Sequence, residues 1–294
     1  AWLRHLRVSI AAMGFNEVVT YSFVSPRWKA FFPGDSLELL NPISDEMRMM
    51  RTSLVPGLLG ACERNRRLQR RDVSLFEIGR TFHPAAGRKL PDEIMRLGVL
   101  LSGKRFDPHW SEPGRPVDFY DIKGVAETVF GAIDAVASNH GHLKEGEQAD
   151  IVAGGEVAGS MGAVHPDILA MLDISDDVFV LEAVLRPPRD VSFAGVRALP
   201  RFPSTWRDLS LVADEHLAYA EIVRAVESMG IDEIRHIQAV DVYRGEKLPA
   251  GKKGVTIRIT YQSLDRTLGD EEISLWQNRV VSLLEDKLGV TLRG

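Results

Sequence analysis

Apolar residues recur along this chain in two periods, and the switches between them mark out its elements. Trp2, Leu3, Leu6, Ile10 and Met13 are spaced by three and four, which predicts an amphipathic helix closed by Gly14. Residues 16–24, "NEVVTYSFV", then set Val18, Thr20 and Ser22 against Val19, Tyr21 and Phe23, the period of a strand. A short helix at 25–32 and the segment 36–44 lead to a longer helix at about 54–68. Ser53 reads as its N-cap, with Thr52 as neighbour and Pro56 tolerated in the first turn. Arg64, Arg66, Arg67, Arg70 and Arg71 crowd its far end, where cations suit the helix dipole, so a solvated helix terminus is the first reading of the cluster and RNA contact the second.

Strands at 74–82 and 95–101, joined by the turn-forming "PAAGRKLPDE", form an expected antiparallel pair. A Pro- and Gly-rich loop, 103–116, precedes a helix that places Phe119, Ile122, Val125, Ala126, Val129 and Ile133 on one face. "ADIVAGGEVAGSMGAVH" divides at Gly154 and Gly155 into a hairpin, and 177–185 is a last strand before Pro187 and Pro188. The proline-rich stretch 186–204 has no period and puts a boundary near residue 195, dividing the chain into 1–195 and 196–294. Beyond it the order is strand 206–214, helix 218–230, strands 234–245 and 253–262, helix 269–289 and strand 290–293. That βαββαβ order is ferredoxin-like, and the whole chain reads as α+β.

Composition narrows the chemistry. With 294 residues and 45% hydrophobic content two cores are within reach, and a formal net charge of −5 argues against gripping nucleic acid by bulk positive potential. The single cysteine, Cys62, can form no internal disulfide and reads as small packing material in a reducing compartment. No apolar run approaches bilayer length and no signal-peptide core is present, so a cytoplasmic setting without membrane contact is expected. Because the chain opens without Met inside a helical pattern, it is expected to be a piece of something longer.

Known catalytic motifs are not found. His140 and His142 lack a second pair at ligand spacing, so they are expected to be surface residues and no metal site is expected. Gly155, Gly159 and Gly162 match neither Walker nor Rossmann spacing, and no G-x-S-x-G elbow occurs.

Eight blocks carry a resemblance: "GFNEVVTYSFVSP", "LLNPISDEMRMMRTSLVPGLLGACERNRR", "LFEIGRTF", "DFYDIKG", "GAVHPDIL", "RFPSTWRDLSLV", "DVYRG" and "RTLGDEEI". In this order they cover nearly the whole chain, which thereby resembles the C-terminal half of bacterial phenylalanyl-tRNA synthetase beta subunits. The main departure is at "HLKEGEQADI", where Lys144, Glu145 and Gly146 replace an expected His-Pro-Gly turn. The resemblance implies a class II synthetase-like antiparallel sheet flanked by helices over 1–195, followed by a ferredoxin-fold anticodon-binding domain over 196–294.

An active class II site needs an Arg at the end of its motif-two strand to meet the ATP α-phosphate, and a second Arg after a Gly-rich strand. The motif-two pattern Phe-Arg-x-Glu aligns on Phe82, His83, Pro84 and Ala85, so both cation and carboxylate are missing. An imidazole lacks the bidentate fork of a guanidinium and is mostly neutral at pH 7. Glu182 and its aliphatic neighbours stand where glycines would admit adenosine. The implied reading is a catalytic shape kept as scaffold, with no catalytic residues and no cofactor of its own. ATP and Mg²⁺ would be held by a catalytic alpha subunit, which this chain would meet through a helix and strand at about Trp2 to Val24 within an (αβ)₂ heterotetramer. The rival reading is that the helix, with Trp2, Leu6 and Met13, is buried within its own domain. Upstream, the family carries a hydrolytic editing domain and a metal-binding carboxylate cluster.

The ferredoxin-like module is expected to recognise the anticodon stem and loop of tRNA(Phe). Period-two alternation turns Val255, Ile257, Ile259 and Tyr261 inward and Arg258 outward; likewise Val240 and Val242 inward, with Asp241 and Tyr243 on the open side. From residue 200 onward 13 Lys and Arg face 15 Asp and Glu, so any RNA contact is local and salt-sensitive. The candidates are Arg201, Arg207, Tyr243, Arg244, Lys252, Lys253 and Arg258, against which stand an Arg207–Asp208 pair, Trp206 as a core cap and a solvated Lys252–Lys253 turn. Two rival functions remain: an independent adenylate-forming enzyme, which needs the missing motif residues, and a free-standing protein-interaction module, which needs no RNA-facing cations.

Overall fold

The computed structural model describes residues 2–88, 90–107, 109–187, 199–245 and 248–293. It divides into two compact units, Ala1–Val191 and Ser192–Gly294. The boundary expected near residue 195, and Pro188, lie outside the described residues.

The first unit runs α1 (Trp2–Ala12), β1 (Asn16–Glu17), β2 (Phe23–Val24), β3 (Met49–Met50), α2 (Val55–Arg67), β4 (Val73–His83) and β5 (Asp92–Ser102). It continues through α3 (Phe119–Phe130), β6 (Ile133–Ala137), β7 (Leu143–Ala153), β8 (Glu156–Val164), α4 (Pro166–Met171) and β9 (Val178–Val184). Seven strands form one sheet in the order β1-β4-β5-β9-β8-β7-β6. The expected antiparallel sheet is mixed, because β1 runs parallel to β4 and every other neighbour is antiparallel.

Alternation along the strands feeds two cores. Phe76, Leu97, Val99, Met161 and Leu181 pack with Ile10 of α1 and Ile122 and Val125 of α3. Leu75, Leu100, Val178 and Val180 pack with Leu58, Leu59 and Cys62 of α2, Ile168 of α4 and Trp28. Helices thus cover both faces, and two glycines set how closely the layers approach. A Cβ on Gly98 would lie 2.8 Å from Leu58 of α2, and one on Gly159 would lie 2.1 Å from the carbonyl oxygen of Glu182. Buried Cys62 fits its reading as packing, and burial raises its thiol pKa to about 11.

Several local expectations are corrected as well. Residues 16–24 are strand only at their ends, although Val18 still donates its N–H to Phe76 at 2.8 Å. From there Thr20 turns to a buried carboxylate instead of a ladder, leaving Val19 91% and Tyr21 72% exposed. Ile133 opens β6, since α3 stops at Phe130 and Gly131 takes φ 76°. The arginine-rich end of α2 is not wholly solvated: Arg66 bonds Ser102 and pairs with Asp176, and its side chain is 11% exposed. The histidine pair is likewise half-buried, with His140 bonded to Asp150 at 2.7 Å and His142 stacked on Phe32 at 4.7 Å. Burial, then His140, lower the His142 pKa to about 4. In place of the expected His-Pro-Gly turn, β7 changes register between Leu143 and Gln148, with Gly146 at φ 80° and Lys144 paired to Glu147 at 2.5 Å.

The second unit comprises β10 (Thr205–Asp214), α5 (Tyr219–Glu227), β11 (Ile234–Tyr243), β12 (Lys252–Tyr261), α6 (Asp270–Leu288) and β13 (Thr291–Leu292). Its antiparallel sheet has the order β11-β12-β10-β13, so the first and third strands are central, as in a ferredoxin fold. Leu209, Leu211, Ala213, Val255, Ile257, Ile259 and Tyr261 face Ile222 and Val226 of α5 and Ile273, Val280 and Leu284 of α6. Val240 and Val242, expected inside, are 47% and 46% exposed. They lie on the edge strand, where a register shift between Ala239 and Asp241 leaves Val240 unpaired.

Gly159→Ala should therefore destabilise the chain by about 1–3 kcal/mol, because a backbone carbonyl cannot yield as a flexible side chain would. Gly124→Ala in α3, with nothing within 4 Å of the added carbon, should stabilise by about 0.5–1 kcal/mol. Urea denaturation distinguishes the two signs. Acid gives a second check: below pH 6.5 the unfolded chain binds a proton at His142 that the folded chain refuses. Its contribution is complete above pH 6.5 and falls away toward pH 4. In thermal melts across that range His142→Phe should gain on the wild type as pH drops.

Candidate functional site

On the α2 side of the large sheet, one row of residues crosses three strands. Register sets Gly98 of β5 opposite both Glu77 of β4 and Glu182 of β9. Two carboxylates are thereby buried on either side of a glycine, and each has its own set of donors. Glu77 receives Arg51 Nη1 at 2.7 Å, the Thr20 hydroxyl at 2.7 Å and the Thr20 N–H at 3.3 Å. Arg51 also donates Nε to the carbonyl of Arg80, and its side chain is only 6% exposed. A Cβ on Gly79 would lie 2.5 Å from Arg51 Nη2, so this glycine makes room for the guanidinium.

Glu182 accepts the Leu54 N–H at 2.5 Å and the Ser53 hydroxyl at 3.1 Å, and lies 3.5 Å from Arg96. The N-cap of α2 is Leu54 and not the expected Ser53, one residue earlier; Ser53 Oγ still accepts the Val55 N–H, and the Leu54 N–H goes to Glu182, 128 residues away. Burial raises the Glu182 pKa against the pull of Arg96 and these donors. Arg96 also donates Nε to Thr81 Oγ1, which is 3.0 Å from His83 Nε2. Burial, and after it the Arg96 cation, lower the His83 pKa and keep this imidazole neutral at pH 7. Phe82 gives its N–H to the carbonyl of Arg51, and Ala85 sits in the turn beyond the strand.

The chemical consequence is neutralisation. In this row buried Arg51 and half-buried Arg96 are held by the chain's own carboxylates, and Glu182 bonds the N-terminal end of a helix. Within this row a polyanion would find both guanidinia already bonded. Among the described residues no group of three or more metal-ligating side chains occurs.

The sheet of the second unit has the opposite character. Its helix-free face carries four rows: His236–Thr260–Trp206, Gln238–Arg258–Asp208, Asp241–Thr256–Ser210 and Tyr243–Gly254–Val212. At one end the Arg258 guanidinium lies 3.7 Å from the centre of the Trp206 ring. It also forks onto Asp208 through Nε and Nη2, both at 2.8 Å. These bonds lower the Asp208 pKa and raise that of Arg258, keeping both charged. At the other end Arg293 reaches over Gly254 to the Tyr243 ring, 5.1 Å away. Flat aromatic and cationic groups on a solvated sheet can stack unpaired bases.

Of the seven candidates, Tyr243, Lys252 and Arg258 share this face. Arg207 lies opposite Ile259 on the helix side and pairs with Asp270 at 2.6 Å, so the Arg207–Asp208 pair weighed from the sequence does not form. Lys253, also on the helix side, donates to the carbonyl of Glu215, whose carboxylate holds Arg244 at 2.7 Å. Lys252 lies opposite Asp214, and Arg201 is exposed on the segment leading into β10. Trp206 is no core cap: it is 52% exposed on the open face. Its alternation with Leu209, Leu211 and Ala213 carried that signal. Arg293 was missed because it follows a two-residue strand.

Comparison with known proteins gives a consistent result. The family model described as the phenylalanyl tRNA synthetase beta chain CLM domain matches residues 2–185, and the ferredoxin-fold anticodon binding domain matches residues 200–293. A phenylalanine–tRNA ligase beta subunit from Geobacter sulfurreducens is 34% identical, the alignment covering 99% of this chain and 38% of the relative. Those from Syntrophotalea carbinolica and Symbiobacterium thermophilum are each 35% identical, covering 99% and 98% of this chain and 38% and 34% of the relatives. The chain thus spans less than two fifths of the length of these curated relatives. A solved pyrrolysyl tRNA synthetase from Desulfitobacterium hafniense has a TM-score of 0.45 at 18% identity, covering 62% of this chain and 66% of that one, too remote to bear on the fold.

Removing one partner of the Arg51–Glu77 pair should expose its buried cost. Arg51→Met leaves Glu77 unpaired and should lower the unfolding free energy by about 3–5 kcal/mol. Adding Glu77→Leu to it should recover most of that loss in the same urea titration.

Proposed function

The chain belongs to the phenylalanyl-tRNA synthetase beta chain family, and from that membership we propose that it serves as a non-catalytic scaffold and RNA-binding part of a phenylalanine–tRNA ligase. Residues 1–195 form the scaffold, a class II synthetase-like fold whose chemistry is gone, and 196–294 bind the anticodon stem and loop of tRNA(Phe). The assembled ligase joins phenylalanine to its tRNA through an adenylate in the cytoplasm, with ATP and Mg²⁺ held by the alpha subunit. The observation that carries the scaffold reading is that buried Arg51 and half-buried Arg96, on the α2-side face, are held by Glu77 and Glu182. A triphosphate would have to displace both carboxylates to find a positive partner. His83, neutral and bonded to Thr81, does not replace them.

Pairing with the alpha subunit within an (αβ)₂ assembly is supported by exposed Val19 and Tyr21, apolar groups following α1 in the segment from Trp2 to Val24. No helix among the described residues is long and apolar enough to cross a membrane. The RNA-binding part is supported by the open face bearing Trp206, Arg258, Tyr243 and Arg293 and by the description of the second matching family model.

Mixing the purified chain with phenylalanyl-tRNA synthetase alpha subunit should give one co-eluting species in size-exclusion chromatography. The chain alone should show no phenylalanine-dependent exchange of pyrophosphate into ATP. Exchange by the chain alone, lost on mutating its own residues, would overturn the scaffold reading.

A further inference from the structure

We propose that Trp206 and Arg258 form a preassembled plate for one unpaired nucleobase, with Arg258 acting as a flat cationic layer and not as a phosphate clamp. This rests on the reading of the open sheet face as the RNA-binding surface, and assigns Arg258 a role within it.

Three features carry the assignment. The first is that the guanidinium is already engaged. Its Nε and Nη2 edge, the edge that matches a phosphate, is occupied by both oxygens of Asp208. A phosphate would have to break that fork and approach beside a carboxylate of its own sign. Stacking asks for neither, because the plane of a guanidinium remains available when its edge is bonded.

The second feature is that the sheet fixes the arrangement. Asp208 lies directly opposite Arg258 in the β10–β12 register, and Trp206 is two residues before Asp208 on the same face. The fork holds the guanidinium 3.7 Å from the indole centre, a stacking separation, with the indole still half exposed. A base can join these two layers as a third without rearranging them, which lowers the ordering cost of binding.

Third, the surroundings suit a base better than a backbone. On the other side of Arg258 in the same row is exposed Gln238, whose amide can donate to and accept from a base edge. His236 and Thr260 complete the neighbouring row with Trp206. With Asp208 counted, the Arg258 row brings no net positive charge, so attraction to phosphate is weak there. Bases in a duplex already stack on each other, so the plate selects a single-stranded loop.

Affinities of the full chain for a labelled hairpin RNA with a single-stranded loop, and for a blunt duplex, can be measured over a series of KCl concentrations. The loop RNA should bind more tightly. Arg258→Ala and Trp206→Ala should each weaken loop binding on the order of ten-fold, with an unchanged slope of log affinity against log salt. Arg258→Lys, which keeps charge but not the plane, should not restore binding, whereas Trp206→Phe should restore most of it. Circular dichroism melts establish that each variant is folded, and the two conservative variants decide the question should an alanine variant not be. Three outcomes overturn the inference alone: loop and duplex bound equally by the wild type, full affinity in Arg258→Ala or Arg258→Lys, or a slope reduced by about 0.7 in Arg258→Ala, the mark of one lost phosphate contact on a single strand. A wild-type chain that binds neither RNA overturns the RNA-face reading itself.

Discussion

The larger unit depends on burying Glu77 and Glu182 in one row of a sheet, on either side of Gly98. A carboxylate removed from water is strongly disfavoured unless charge and hydrogen bonds compensate it, and this need organises everything nearby. Thr20 leaves its strand to bond Glu77, Arg51 is drawn under the sheet beside Gly79, and α2 brings its N-terminus onto Glu182. Two segments remote in sequence, at Thr20 and at residues 51–54, are thereby held against one row of the sheet. A helix N-terminus is a favourable site for an anion, and here the anion is supplied by the protein itself. The same arrangement that stabilises the face also engages its guanidinia.

The smaller sheet handles charge differently. Its acidic excess lies partly on α6, where Asp270, Glu271 and Glu272 begin the helix, as the dipole favours. On the strands and just beyond their ends, positive groups are paired locally: Arg258 with Asp208, Arg244 with Glu215, Lys252 with Asp214. Overall charge is therefore a poor guide to what the face can bind. Surface pairs of this kind contribute little to stability, so their value lies in orientation. The plane of Arg258 is set by Asp208, and aromatic rings stand beside cations at both ends.

The sequence was legible wherever a local rule determined the outcome. Helix ends at Gly14, Gly230 and Gly289 follow from left-handed φ values of 93°, 62° and 60°, and the hairpin at Gly154 and Gly155 from 58° and 81°. Alternation in β12 placed Arg258 opposite the core. Where it failed, a partner distant in the chain had overridden the local pattern. Thr20 answers to Glu77, 57 residues on, and no period in 16–24 records that. His142 looked exposed because its burying partner, Phe32, is far away in the chain. Val240 and Val242 have the alternation of an inner strand, but occupy the edge of the sheet, which only strand order reveals. That Arg51 and Arg96 are held by glutamates was not visible in the sequence.

The two faces show why counting cations cannot locate a binding surface. Arg51, Arg96 and Arg258 are all arginines paired with carboxylates, and by charge alone they are equivalent. What separates them is access and direction. Arg51 is 6% exposed, its guanidinium bonded to a carboxylate, a hydroxyl and a backbone carbonyl, so no ligand can share it without unfolding the row. Arg258 is paired along one edge only, and both it and its aromatic neighbour are open to water. Burial turns an ion pair into structure, whereas the same pair on a solvated sheet leaves a plane available. For Arg258 that access follows from the side of β12 it occupies, and so from the alternation read at the outset, whereas Arg51 lies between β3 and α2 and owes its burial to Glu77, a partner distant in the chain.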